Sequence, residues 1–317
     1  MTFKLSWVQN VLGILACTVL TVSCSKLDAP ISAPGLETLK TQALTTYYVD
    51  NRSGSNCSNA GTGTSSSAPW CDFTPVNART YGPGDKILLA RGASWNQEMQ
   101  LTGSGTAGNL IELGAYGSGN RPIITRNGNL GLRAGGTLER AVLLTNPSYW
   151  LVHDLEVSYA AVGIEAFYDT KGNDTLILDN IYGYDAGKTP ICKPSQSNTF
   201  DGIYQSSGIV ITGPYNLPIT SAVSDYVLKN LTVRNVEGTR NLTSVATQFC
   251  NVLSDASGLA ASNAIQNARF YNLYLHDDDG GGSSEGCMQS FSLLTTLGAT
   301  VYNSIIDKAA GCRAEHG

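Results

Sequence analysis

The fold is decided by the stretch Trp150-Leu151-Val152-His153-Asp154-Leu155-Glu156-Val157. A short β-rich run leads to an acidic residue, and a second short alternating run follows it. The same form returns at 176–181, 226–233, 268–275 and 300–306, with Asn180, Asn230, Asn272 and Asn303 at the position of Asp154. Self-similar units at such spacings are the mark of stacked coils. Each coil contributes short strands that pair with the coils above and below, about 4.8 Å away. Alternate side chains point into the interior. Asn and Asp tolerate the left-handed backbone that a corner between two strands requires, and stacked Asn amides can hydrogen-bond along the axis. A β-sandwich also has short strands and regular turns, but it does not call for an Asn between two runs. The reading is an all-β chain wound as a parallel β-helix. Further β-rich runs at 87–90, 110–113, 122–125 and 141–144 extend it towards the N-terminus.

The composition agrees. The 317 residues include 34 glycines and are 42% hydrophobic, which is enough apolar material for a core. Only 14% are charged, and 25 acidic residues against 20 basic ones leave a net charge of −5. A disordered chain is excluded by the apolar content, and a coiled coil by the scarcity of charged helix formers. With no basic excess to neutralise phosphates, nucleic acid is not an expected partner.

Residues 1–24 read as an export signal: Lys4, an apolar run from Val11 to Val22, then Ser23-Cys24. The run is shorter than the roughly 20 residues of a membrane span. Cys24 fits a lipoprotein cleavage box, and so does Cys17 within the apolar run. The expected location is therefore outside the cell or on the outer membrane, with the membrane reached only through a lipid anchor at Cys24. Residues 25–46 read as a linker and 47–317 as the β-helix, taken as a monomer and as either closed at its end by a disulfide to Cys312 or truncated at its C-terminus. Setting Cys17 and Cys24 aside leaves six cysteines, an even set that suits disulfides in an exported protein. Cys57 and Cys71 flank one polar loop and are a natural pair. Cys287 and Cys312 lie about one coil apart.

Tyr47–Asp50, Gly61-Thr62, Pro69-Trp70, Pro83-Gly84-Asp85, Arg91-Gly92 and Gly114-Ala115-Tyr116-Gly117 resemble the N-terminal cap and first coils of right-handed parallel β-helix proteins of the pectate-lyase-like group. The resemblance runs from about residue 47 to the end. It implies a carbohydrate-active protein and leaves open lyase, hydrolase and binding modes, because one architecture hosts many sites.

The densest chemistry is His276-Asp277-Asp278-Asp279, followed by three glycines and Glu285. Adjacent carboxylates repel unless solvated or metal-bound, and oxygen ligands on a loop suit Ca²⁺. Asp277, Asp278 and Asp279 are the expected metal ligands. An EF-hand is excluded, because Gly281 and Met288 stand where ligands belong. The resemblance implies Ca²⁺-assisted β-elimination on an acidic, uronate-containing polysaccharide, with Lys308 or Arg313 as the base. The alternatives are a non-catalytic glycan-binding protein and a hydrolase using Asp278 and Asp279 as its carboxyl pair. Against the latter, the upstream Asn-x-Asp and downstream Arg-x-Lys of polygalacturonase-like chains are absent. Asp185 reads as a groove-lining residue or plain turn, and His153 as a packed or surface histidine. Gly103–Gly108 matches GxGxxG but precedes a strand, so no dinucleotide site is expected there.

Overall fold

The computed structural model describes residues 44–129, 139–187, 208–214, 217, 219–220, 222–248, 264–278, 290–293 and 296–307. Residues 42–317 form one compact unit. Among the described residues every strand ladder is parallel, and the unit is a right-handed parallel β-helix with three faces.

The first sheet stacks Thr46–Val49, Lys86–Ala90, Ile111–Tyr116, Trp150–His153, Asn173–Asp179, the start of Leu228–Thr239, the start of Arg269–His276, and Thr300–Tyr302. The second stacks Ser94–Trp95, Ile123–Asn129, Glu156–Ala160, Tyr182–Tyr184, the ends of the two long strands, and Ile305–Asp307. The third runs from Thr80–Tyr81 through Met99–Ser104, Arg140–Ser148, Val162–Phe167, Ile209–Thr212 and Val245–Gln248 to Phe291–Leu293.

Register explains the core. Ile87, Leu113, Val152, Leu178, Val233 and Phe270 lie directly above one another and are fully buried. Burial of one such side chain is worth about 1.5–3 kcal/mol, so a column of six is a principal source of stability. Period-two alternation keeps this column inside while its neighbours face solvent. The N-terminal end is closed by Trp70, Phe73 and Val76, all fully buried, the last on the short helix Thr74–Asn77. Cys57 and Cys71 are disulfide-bonded across the loop that carries this cap. Asp85 accepts the Thr45 N–H at 3.0 Å and the Gly82 N–H at 2.9 Å, which accounts for the Pro83-Gly84-Asp85 turn.

The corner ladder is present, with one change of member. Asp154, Asn180, Asn235, Asn272 and Asn303 occupy the corner between the first and second sheets, all with φ between 48° and 58°. Asn272 donates to Asn235 at 2.9 Å and Asn303 to Asn272 at 2.6 Å, and Asn180 donates to Asp154. Asn230, assigned to this ladder from sequence, belongs to another. It stacks with Tyr149, Thr175 and Asn267, all left-handed, where the chain enters the first sheet. The strand Leu228–Thr239 holds two left-handed Asn residues five apart. Local sequence does not distinguish them, whereas register does.

The GxGxxG segment is a packing feature. Gly103 has φ +129°, and a Cβ there would fall 2.1 Å from the Tyr81 carbonyl oxygen.

Candidate functional site

The corrected corner locates an outward column. The second residue after each corner is Glu156, Tyr182, Glu237, Tyr274 and Ile305, and these are in register on the second sheet. The fourth residue is Ser158, Tyr184, Thr239, His276 and Asp307. Immediately beyond stand Tyr159, Asp185, Arg240 and Asp277, each left-handed. Three columns thus run parallel to the axis on one face.

Rings and carboxylates interleave on it. Tyr184 meets Tyr159 edge-on at 5.7 Å and Tyr182 at 4.9 Å, and its hydroxyl donates to Glu156 at 2.7 Å. Burial pushes the Tyr184 hydroxyl up to about 12, so it stays a donor at neutral pH. Arg240 grips Asp185 through two bonds of 2.9 Å and lies 5.5 Å from the Tyr184 ring centre. The hydrogen bonds to Asp185 raise the Arg240 pKa further. One coil further along, Tyr274 stacks on His276 at 4.1 Å. The His276 Nδ1 lies 2.9 Å from Asp277 and its Nε2 3.5 Å from Glu237. Glu237 and Asp277 are each nearly half exposed, at 47% and 45%.

The acidic run divides between two sides. Asp277 faces outward on this surface. Asp278 turns inward and is 5% exposed. There it accepts the Asn241 N–H at 3.1 Å and the Ser244 hydroxyl at 2.7 Å. One coil earlier, Asn241 accepts the Ala186 N–H at 2.9 Å in the same way. Asp278 is therefore the next rung of an interior ladder that satisfies backbone donors where the chain turns towards the third sheet. Burial raises its pKa, against the opposing bonds from Ser244 and Asn241. Among the described residues, no three His, Cys, Asp or Glu side chains converge as a metal site requires. Asp279, Glu285, Lys308, Arg313, Cys24, Cys287 and Cys312 lie outside the described residues. The residues that sequence reasoning missed are Glu156, Tyr182, Tyr184, Glu237 and Tyr274, whereas His276 stood in the acidic run it singled out. The signal for four of them was their spacing of two residues from each corner. Taking Asn230 as the corner pointed to Thr232 instead of Glu237.

A second His-Asp pair forms a charge cluster on the outer face of the first sheet. His153 contacts Glu112 at 3.1 Å and Asp154 at 3.2 Å, Lys86 contacts Glu112 at 2.5 Å, and Arg91 contacts Asp154 at 2.9 Å. His153 crosses Gly114, where a Cβ would lie 2.4 Å from Nε2. The bond from His153, with help from Lys86, holds Glu112 down at about 2. The bond to Glu112 raises the His153 pKa against the effect of burial. A raised histidine stabilises fully below its unfolded pKa, and that contribution is lost as pH rises through the folded value. A lowered glutamate stabilises above its unfolded value of about 4.5, and that contribution is lost as pH falls through about 2. Urea unfolding should therefore show wild-type stability falling by up to about 1 kcal/mol as pH rises from mildly acidic to mildly alkaline values. His153→Gln should flatten this limb. An unchanged slope in the variant would dismiss the cluster as its source.

No family model matches the chain. A lacto-N-biosidase of Bifidobacterium longum subsp. longum is 34% identical over 178 residues, covering 48% of this chain and 11% of that protein. The chain thus spans about a tenth of the length of this curated relative. The crystal structure of a GH136 lacto-N-biosidase from Eubacterium ramulus superposes with a TM-score of 0.55 at 22% identity, over 74% of this chain and 42% of that one. An alginate lyase from a Paenibacillus species gives a TM-score of 0.31 at 14% identity, too distant to support an argument. At these levels of identity, the structural likeness is one of fold.

Proposed function

We propose that this β-helix is carbohydrate-active and hydrolyses a glycosidic bond on the outer face of its second sheet. The observation that carries this reading is the 34% identity over 178 residues to a lacto-N-biosidase. The chemistry of the face supports it. Tyrosine rings offer apolar faces to sugar rings, and hydrolysis needs two carboxyl groups across the scissile bond. Glu237 and Asp277 flank the two nitrogens of His276. With the His276 ring and a polar contact on each side standing between them, we read the pair as the wider arrangement that suits inversion. One carboxyl group protonates the leaving glycosidic oxygen. The other takes a proton from a water whose oxygen bonds the anomeric carbon as the old C–O bond breaks. His276 is a positioning residue that holds the two carboxylates apart.

The charge of the face favours a neutral glycan over the acidic one expected from sequence. Between the coils of Glu156 and Asp307, the described residues of this face carry Glu156, Asp185, Glu237, Asp277 and Asp307. The guanidinium among them, Arg240, is already bound to Asp185. A polyuronate would meet like charge.

The test is a product assay on two sets of substrates. One comprises neutral oligosaccharides and an aryl lacto-N-bioside, followed by mass and reducing ends. The other comprises polygalacturonate and alginate, followed by the ultraviolet absorbance of unsaturated uronate, with and without chelator. The expected outcome is hydrolysis of a member of the neutral set that chelator leaves unchanged. Unsaturated product that chelator abolishes would instead restore calcium-assisted elimination.

A further inference from the structure

The arrangement of the outward face specifies how a glycan would lie on it. Glu237 sits on a central coil. The coil before it presents Tyr182 and Tyr184, and the coil after it presents Tyr274 and His276. Each step between coils is about 4.8 Å, close to the length of one sugar unit in an extended oligosaccharide. The rings differ in exposure and packing. Tyr274 is 44% exposed and braced from beside by His276. Tyr184 is held by Glu156 below and by the Arg240 guanidinium above. Arg240 is itself fixed by Asp185, so this flank is rigid before any ligand arrives, which lowers the entropy lost on binding. Tyr159, 42% exposed, extends the same flank by another coil.

We infer that the substrate is an oligosaccharide of at least three to four sugar units lying along the solenoid axis. One platform is formed by Tyr182, Tyr184 and Tyr159 and the other by Tyr274 and His276, with the scissile bond between the coils of Glu237 and Asp277. The inference rests on the hydrolase reading and goes beyond it, because it fixes direction, length and point of cleavage. A pocket for a terminal disaccharide would place its rings on one side of Glu237, whereas this face has rings on the coils before and after it.

The experiment uses the full chain carrying Glu237→Gln, so that ligand is bound and not consumed. An array of neutral glycans first identifies a binder. Calorimetry then measures a series of that glycan from two to six units. The expected result is affinity that rises at least tenfold between two and four units and then levels. Tyr182→Ala and Tyr274→Ala should each weaken the tetramer at least fivefold while leaving the dimer within twofold. Far-ultraviolet circular dichroism and thermal melting confirm that each variant is folded. A dimer bound as tightly as the longer members overturns the inference and leaves the hydrolase reading standing. So does a Tyr274→Ala variant that binds the tetramer like its parent. Folded protein that binds no neutral glycan on the array removes both.

Discussion

Glu237→Gln should lower the hydrolytic rate by about 10²–10⁴-fold, the usual worth of a positioned acid or base, with little change in glycan affinity. The substitution keeps size and hydrogen-bonding capacity but removes the proton to be given or taken. Asp277→Asn should fall in the same range, because hydrolysis needs both members of the pair. Glu156→Gln should lose less than about tenfold, since Glu156 accepts the Tyr184 hydroxyl two coils from the reacting bond. The wide spacing across His276 adds a stereochemical expectation, a product of inverted anomeric configuration by NMR at early times. Glu237→Gln with near wild-type turnover would move the chemistry off this face. A retained configuration would refute the pairing of Glu237 with Asp277 even if both matter.

The second large effect is on stability, and it concerns the residue that sequence chemistry favoured for metal. Asp278→Ala should destabilise the fold by about 2–4 kcal/mol, because it strips a buried backbone N–H on Asn241 and a buried Ser244 hydroxyl of their acceptor. Asp278→Asn should behave differently. Its Oδ1 can accept the Asn241 N–H while its Nδ2 donates to Ser244, and no charge is buried. Asn241 makes the same kind of contact one coil earlier. The pKa of Asp278 is raised in the folded state, so its contribution is fully present below the unfolded value and is lost as pH rises through the folded one. Asp278→Asn should therefore match or exceed wild-type stability at neutral pH, with the gain vanishing in acid. Urea titrations at neutral and acid pH distinguish the outcomes. Asn destabilising as much as Ala would mean that the charge itself is required, as a metal ligand demands.

How much of this was legible in the sequence follows from the reach of each signal. Alternation with a recurring Asn is local, and it identified coils, interior positions and four of the five corner residues. The pairing of Cys57 with Cys71 was likewise readable, because both border one loop. The error at Asn230 shows the limit. That residue and Asn235 share a strand, an amino-acid type and a left-handed backbone, so only pairing with Asn180 and Asn272 distinguishes them. The columns of the candidate face moved with that register.

The acidic run makes the same point. Its composition drew attention to the right coil, and Asp277 does lie on the outer face. Three adjacent carboxylates in one dimension look like a cluster. A strand leaving a left-handed corner sends successive side chains to opposite sides, so Asp277 meets solvent and Asp278 meets the core.

Taken alone, the sequence determined the class of fold, because burying every second side chain in repeated short runs has few solutions. Only the tertiary structure decided which polar groups share a surface. Glu156, Tyr182, Glu237 and Tyr274 are far apart along the chain and become neighbours solely through the register of stacked coils. Register is set by many weak contacts acting together, and no single segment encodes it.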